Sequence, residues 1–219
     1  HGCYNFVFSS SATIYKPSEF EKLKEERQLL PQNPYGNTKL SIELILQDLF
    51  KNSPNKWRIA NLRYFNPAGS NKNGLLGEDP VNKPTNLFPI ILKVAKRKID
   101  QLSIYGYDWP TKDGTCIRDY IHIIDLSEAH LATLNFLLKN KPQIIALNIG
   151  TGEGFTVLEV LNTFMKVNKI KIPYKFEDRR KGDVSYLVAS NEFALKTINW
   201  SPKRNLDDIC LDCLNRRDF

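Results

Sequence analysis

Tyr35 and Lys39 lie four residues apart in Asn33-Pro-Tyr-Gly-Asn-Thr-Lys39. Asn33-Pro34 reads as a helix start, so the two side chains share one helix face. A lysine ammonium beside a tyrosine hydroxyl favours the phenolate and lowers the hydroxyl's pKa by roughly 1–3 units from about 10. That would make Tyr35 a usable general base near neutral pH. The spacing alone is weak, because a chain with this many tyrosines and lysines holds such a pair by chance. Ser9-Ser10-Ser11 adds to it. These serines close an apolar strand, and in α/β sheets ligands bind beyond the carboxyl ends of strands. A serine there and the Tyr–Lys pair on the next helix converge on one substrate hydroxyl, although a triple serine by itself is only a polar turn. Arg118-Asp119 and Arg179-Arg180-Lys181, taken by themselves, read as a surface ion pair and a solvated basic turn.

The elements that must position these groups follow from periodicity. Tyr4–Phe8 reads as a buried strand. Residues 16–33 are polar and bounded by prolines, a loop with a short helix at Phe20–Arg27. Leu40, Leu44, Ile45 and Leu49 recur at helical spacing through Phe50. The strand Arg58–Phe65 stops at Asn66-Pro67, and strand, helix, strand at this spacing is a parallel crossover unit. Residues 66–86, rich in Asn, Gly and Pro, predict a long surface loop. There follow a helix at Leu87–Lys98, a strand at Leu102–Tyr105, a turn at Trp109–Gly114 and an extended run at Arg118–Ile123. Asp125 is the expected cap of a helix running to Leu138. Ile144–Ile149 is an apolar strand ending at Gly150-Thr-Gly152, and Thr156–Val167 a further helix. The tail alternates short strands and helices. The fold class expected is α/β, a mostly parallel sheet covered by helices with a smaller mixed lobe.

Composition narrows the partners. Of 219 residues, 42% are hydrophobic and 25% charged, the balance of an ordinary globular domain rather than a disordered, collagenous or disulfide-built chain. Asn5–Phe8 and Ile144–Ile149, the longest apolar runs, are far too short for a membrane helix. The net charge of +7 suits anionic ligands, but the charges are scattered and no nucleic-acid signature accompanies them. Cys210 and Cys213 have metal-like spacing without a second pair. They share a helix face with Leu206, Ile209 and Leu214, so core thiols are expected. Cys3 and Cys116 complete the set. Free thiols and no secretory signal fit a cytoplasmic setting. The histidines form no cluster with metal-ligand spacing, so no metal is expected, and His122 reads as packed rather than catalytic.

Five motifs occur in order: Phe8-Ser-Ser-Ser-Ala-Thr-Ile-Tyr15, Asn33-Pro-Tyr-Gly-Asn-Thr-Lys39, Leu62-Arg-Tyr-Phe-Asn-Pro67, Gly77-Glu-Asp-Pro80 and Asp113-Gly-Thr-Cys-Ile-Arg-Asp-Tyr-Ile-His122. Together they resemble the extended short-chain dehydrogenase/reductase superfamily and, within it, the UDP-glucose 4-epimerase family, over essentially the whole chain. The resemblance implies a partial Rossmann-type, doubly wound parallel sheet plus a substrate-binding lobe. Residues 1–67 would be the second half of the NAD-binding domain and 68–219 the UDP-sugar lobe, with 119–150 returning to the sheet. It implies Ser11, Tyr35 and Lys39 as catalytic residues. Ser9, Ser10, Tyr35, Lys39, Tyr64, Phe65 and Pro67 would border NAD. Ser11, Asn66, Asn86, Tyr105, Arg118, Tyr120, Arg180 and Asp183 would hold a UDP-hexose. The implied reaction inverts C4. Tyr35 takes the 4-hydroxyl proton as hydride leaves C4, the 4-keto sugar turns over on its UDP handle, and hydride returns to the other face. A homodimer of the full-length protein, through Leu40–Phe50, is also implied.

The chain departs from the family in one respect of consequence. It begins at His1 and carries no Gly-x-x-Gly-x-x-Gly turn, the family's opening device for the NAD pyrophosphate. The expectation is therefore a piece of a longer chain that binds NAD poorly by itself. Leu187 stands where the family varies between small and bulky residues beside the hexose, and a bulky residue disfavours N-acetylated sugars. Three other readings compete. One is a related nucleotide-sugar enzyme, such as a UDP-glucuronate or UDP-N-acetylhexosamine epimerase or a dehydratase, although dehydratases usually carry Thr and an acidic residue where Ser11-Ala12 stands. Another is a non-catalytic nucleotide-sugar-binding fragment. A nucleic-acid binder rests on the net charge alone.

Overall fold

The computed structural model describes residues 2–78 and 84–215. His1, and Asp79 and Pro80 of the Gly77–Pro80 motif, lie outside the described residues. Strand β1 (Asn5–Ser11) passes through a 3₁₀ turn at Ala12–Ile14 and a polar connection into α1 (Pro34–Asn52). Asn33 caps α1, its Oδ1 accepting from the Gly36 N–H at 2.8 Å, and Pro34 sits where a missing N–H costs nothing. Next come β2 (Arg58–Tyr64), β3 (Asn66–Ala68), α2 (Leu87–Ala95) and β4 (Leu102–Tyr105). Then β5 (Ile117–Arg118) and β6 (Tyr120–His122) run into α3 (Ile123–Lys139) and β7 (Gln143–Ile149). The remainder is β8 (Phe155–Thr156), α4 (Val157–Asn168), β9 (Tyr174–Glu177), β10 (Tyr186–Leu187), α5 (Glu192–Ile198) and α6 (Leu206–Leu214).

Strands β1, β2 and β7 form a parallel sheet in that order, and the register sets Ser11 beside Tyr64 and Tyr64 beside Ile149. The chain thus leaves this sheet after β2 and comes back to it at β7. Central β2 is buried along almost its whole length, as a parallel strand covered on both faces must be. Leu62 joins Leu126, Ala129 and Leu137 of α3 in one core, whereas the next residue, Arg63, meets Glu43 of α1. Successive side chains on a strand point to opposite faces, so α1 and α3 cover opposite sides of the sheet. A second core joins Phe88 and Ile91 of α2, Leu102 and Ile104 of β4, Leu161 and Phe164 of α4, and Ile209, Cys210 and Cys213 of α6. The paired thiols of α6 are therefore core residues. Short ladders surround this second core: β3 with β6, β4 with β9, and β5 between β10 and β8. Among the described residues no helix is long and apolar enough to cross a membrane.

Several local expectations need correction. Phe20–Arg27 is not a helix. Leu23 instead forms an isolated bridge to Ala189, its N–H on the Val188 carbonyl and its carbonyl taking the Ser190 N–H, both at 2.8 Å. Helix α2 stops at Ala95 rather than Lys98, because Arg97 adopts a left-handed φ of 55°. The 66–86 loop contains strand β3. Asp125 does not cap α3. The helix starts two residues earlier, and His122 caps it through Nδ1, which accepts the Ile124 N–H at 3.1 Å. Asp125 is buried and instead accepts the N–H groups of Lys203 and Arg204.

The cap makes His122 pH-sensitive. Accepting an N–H requires an unprotonated Nδ1, and burial lowers the pKa of the ring. Asp212, whose Oδ2 lies 3.3 Å from Nε2, and Asp125 oppose this, while Arg204 reinforces it. The unfolded ring protonates near its ordinary value of about 6.5 and the folded one only at lower pH. Stability is therefore unaffected above that value and falls as pH drops below it. His122→Asn keeps an acceptor at the cap and cannot titrate. Urea unfolding of this variant should depend less on pH than the parent's between about pH 7 and about pH 5. Equal dependence in both proteins would exclude His122 as a source of acid lability.

Candidate active site

The register brings the carboxyl ends of β1 and β2 together. Strand alternation then sorts the three serines. Ser9 Oγ meets the Tyr64 hydroxyl at 2.8 Å on the α3 side, where the same hydroxyl also meets His130 Nε2. Ser10 turns to the α1 side and donates to Glu43 in the interior. Its hydroxyl is thus not presented to the cleft, where the family pattern would set it beside a cofactor. Ser11, at the strand end, caps the 3₁₀ turn, accepting from the Thr13 N–H at 3.2 Å and the Thr13 hydroxyl at 3.0 Å.

Tyr35 stands in the first turn of α1 with its side chain more than half exposed. Lys39, one turn on, donates to the Ser9 carbonyl at 2.9 Å. Its ammonium lies 5.5 Å from the Tyr35 ring centroid and 5.3 Å from that of Phe8, within cation–π range of both. Burial pushes the hydroxyl pKa values of Tyr64 and Tyr120 up, which keeps both protonated. Tyr35, by contrast, is exposed and stands beside a lysine ammonium.

Beneath Ser10 lies a polar network that no local pattern announces. Arg63 grips Glu43 with both ends of its fork, Nε to Oε1 at 3.0 Å and a terminal nitrogen to Oε2 at 2.7 Å. Its other nitrogen donates to the Tyr15 hydroxyl at 2.9 Å and the Glu25 carbonyl at 3.0 Å. Tyr15 in turn donates to Asn148 Oδ1 at 2.6 Å. The only sequence signal was one charge inside an apolar strand and an opposite one on the buried stripe of α1.

A cavity of about 540 Å³ opens above these strand ends, lined by Ser11, Thr13, Tyr35, Phe65, Asn66 and Pro67 and reaching Asn86, Leu87 and Tyr120. A narrower one of about 150 Å³ shares Asn66, Thr85, Asn86, Leu87 and Tyr120 and continues to Tyr105, Cys116, Arg118, Arg180 and Asp183. The two are one cleft with a wide and a narrow end. Residues expected from four of the five motifs, with Asn86, Tyr105, Arg180 and Asp183 from outside them, thus meet along it. Asn66 occupies the waist, and its Oδ1 is buried without a hydrogen-bond partner among the described residues, a polar atom that a ligand would satisfy. Asn86 precedes α2 without capping it by its side chain, and its Nδ2 donates to Glu78 at 2.8 Å. A separate hollow beside Arg97 and Lys169, of about 620 Å³, contains none of these groups.

At the narrow end Arg118 is held by the carbonyls of Ile117 and Val184, at 2.9 and 2.8 Å, and lies 3.5 Å from Asp183. Asp119 is not its ion-pair partner. That carboxylate is fully buried and accepts from the N–H groups of Thr151, Gly152 and Ala189 and from the Thr151 hydroxyl. It thereby fastens the β5–β6 junction to the loops that follow β7 and β10. The Arg180 guanidinium lies 3.7 Å from the Tyr105 ring centroid and donates to the Thr85 carbonyl at 3.3 Å. Tyr120 is buried edge-on against Phe88. Leu187 packs with Ala12, Tyr15, Leu23 and Phe65 behind the wide end rather than lining it. Thr13, Thr85 and His130 joined the site without a sequence signal of their own.

Residues 1–150 match the family model described as the NAD dependent epimerase/dehydratase family. The chain is 46% identical over 212 residues to the UDP-glucose 4-epimerase of Bacillus subtilis, covering 97% of this chain and 62% of that one. It is 43% identical over 216 residues to a bifunctional UDP-glucose and UDP-xylose 4-epimerase of Arabidopsis thaliana, covering 98% and 61%. The chain thus spans about three fifths of these relatives. Among solved structures, the UDP-glucose 4-epimerase of Stenotrophomonas maltophila, with bound NAD and a formylated UDP-arabinopyranose, superposes with a TM-score of 0.93 at 38% identity, over 97% of this chain and 63% of that one. That of Bifidobacterium longum, in complex with NAD+ and UDP, gives a TM-score of 0.91 at 41% identity over 97% and 63%.

Proposed function

Because the chain belongs to the NAD dependent epimerase/dehydratase family, we propose that it carries the catalytic and nucleotide-sugar-binding residues of an NAD-dependent UDP-hexose 4-epimerase. The observation that carries this is the single cleft, with Ser11 and Tyr35 at its wide end and Arg118, Arg180 and Tyr105 at its narrow end. The Bacillus, Stenotrophomonas and Bifidobacterium proteins, each a UDP-glucose 4-epimerase, support it.

NAD fits what these residues offer. Lys39 uses one of its three donors on the Ser9 carbonyl, which leaves two for a ribose diol, and Tyr64, Phe65 and Pro67 stand beside the strand ends. Bound there, NAD would supply the hydride acceptor and donor that inversion at C4 needs. Tyr35 takes the proton of the 4-hydroxyl and returns it, and Ser11 holds that hydroxyl against the base. Arg118 and Arg180 grip the diphosphate, Asp183 and Tyr105 the uridine, and Asn66, Asn86 and Tyr120 the span between. Strong contacts to UDP with few to the hexose are what a sugar that must turn over requires. Exposed Leu44 and Ile45 on α1 support self-association through that helix, and four free thiols a cytoplasmic setting.

Arg118→Leu should weaken UDP binding, measured by calorimetry, about ten- to hundredfold, the loss expected for hydrogen bonds to a charged group. Arg118→Lys keeps the charge without the fork and should fall between. Unchanged UDP affinity in both would remove the diphosphate from this end of the cleft.

A further inference from the structure

Two consecutive arginines lie on two different rings. Arg180 covers one face of Tyr105 at the cleft, while Arg179 covers Trp109 outside it, its guanidinium 3.8 Å from the ring centroid. The two are held very differently. Arg179 also donates through Nε to Asp108 Oδ1 and through a terminal nitrogen to the Asp108 carbonyl, both at 2.7 Å. Ring, carboxylate and carbonyl fix it from three directions. Arg180 has one hydrogen bond among the described residues, to the Thr85 carbonyl, and keeps its other donors for a ligand.

The segment carrying Trp109 is itself tightly built. Gly106 donates to the Glu177 carbonyl at 2.8 Å, which extends the β4–β9 ladder to the point where the chain enters the Arg179-Arg180 turn. The chain then folds back, with Trp109 donating to the Gly114 carbonyl at 2.9 Å. Gly106 has a φ of 79°, and a Cβ there would stand 2.4 Å from Trp109 Nε1 and 3.2 Å from Arg179 Cγ. Only glycine lets ring and arginine close over this point.

We propose that Asp108 and Trp109 are positioning residues. By clamping Arg179 they hold the turn so that Arg180 stands ready at the nucleotide end of the cleft, and less freedom is lost when a diphosphate binds. The proposal rests on the UDP-hexose reading above. It is tested by UDP binding to the intact protein, measured by calorimetry. Trp109→Leu, and Asp108→Asn on the exposed side of the clamp, should each weaken UDP binding about tenfold, and Gly106→Ala should do the same. Trp109→Phe keeps a ring under the guanidinium and should restore most of the affinity. A role exercised through Arg180 also predicts that Trp109→Leu costs little further affinity once Arg180→Ala is present. Full additivity of the two losses, or unchanged affinity in both Trp109→Leu and Asp108→Asn, would overturn the clamp. Failure of the parent protein to bind UDP would instead overturn the reading of the site.

Discussion

Replacing Tyr35 with phenylalanine should lower turnover of a UDP-hexose by the intact protein by about 10²–10⁴-fold, the range for removing a general acid–base group. Affinity for UDP should stay within a few-fold. The substitution deletes one oxygen atom and leaves the ring beside the Lys39 ammonium. The side chain is more than half exposed, so the fold loses little packing. The nucleotide end of the cleft is lined by other residues, so the loss belongs in kcat and not in the binding of UDP. The neighbouring tyrosines are committed elsewhere: Tyr105 lies under Arg180 at the nucleotide end, Tyr120 is buried with its hydroxyl held protonated, and Tyr64, beside the strand ends, is engaged by Ser9 and His130. Steady-state rates within about threefold of the parent would show that Tyr35 is not the proton acceptor.

Arg63→Ala should be the most damaging substitution for the fold, costing roughly 3–5 kcal/mol in urea unfolding, because it leaves a buried carboxylate without its partner. The side chains of Arg63 and Glu43 are each only 6% exposed. Solvent therefore cannot take over the carboxylate, and Tyr15 and the Glu25 carbonyl lose a donor as well. Against a total stability of about 5–15 kcal/mol for a domain, that loss approaches unfolding. The companion variant separates charge from packing. Arg63→Met combined with Glu43→Leu removes both charges at similar volume and should regain much of the loss. A deficit below about 1 kcal/mol in Arg63→Ala would mean that Glu43 finds water or another partner instead.

What was legible in the chain was local. The apolar strands β2 and β7 and the helix-start chemistry of Asn33-Pro34 agree with their tertiary setting, so propensity and fold point the same way, whereas the apolar repeat on α1 leaves Leu44 and Ile45 exposed and buries Glu43 instead. Tyr35, Ser11, Arg118 and Arg180, expected from their motifs, line one cleft because those motifs sit at element ends that the fold gathers. The expectation failed where a distant partner decides. Phe20–Arg27 would make a passable helix, but the backbone of Leu23 bridges to Ala189 just past β10. Asp125 looks like a cap, but the Lys203 and Arg204 backbone claims it. Ser10 is the instructive case. Three consecutive serines on a strand cannot all face one ligand, and the two-residue alternation assigns the middle one to the other side. The partner waiting there, Glu43, is separated by 33 residues. The stacking of Arg179 on Trp109 spans more than twice that distance, and nothing near either residue in sequence announces it.

The unequal ends of the cleft have a kinetic meaning. The wide end has more than three times the volume of the narrow one, about 540 against about 150 Å³. On the proposed reading, a nucleotide fixed at the narrow end acts as a leash for the sugar at the wide end. A leashed group meets its catalytic partners at an effective concentration on the order of millimolar or more, whatever the free concentration in solution. On that reading the 4-keto sugar can offer either face to the hydride donor many times during one residence of the nucleotide. How often inversion succeeds depends on how long UDP stays bound, and not on how tightly the sugar is held.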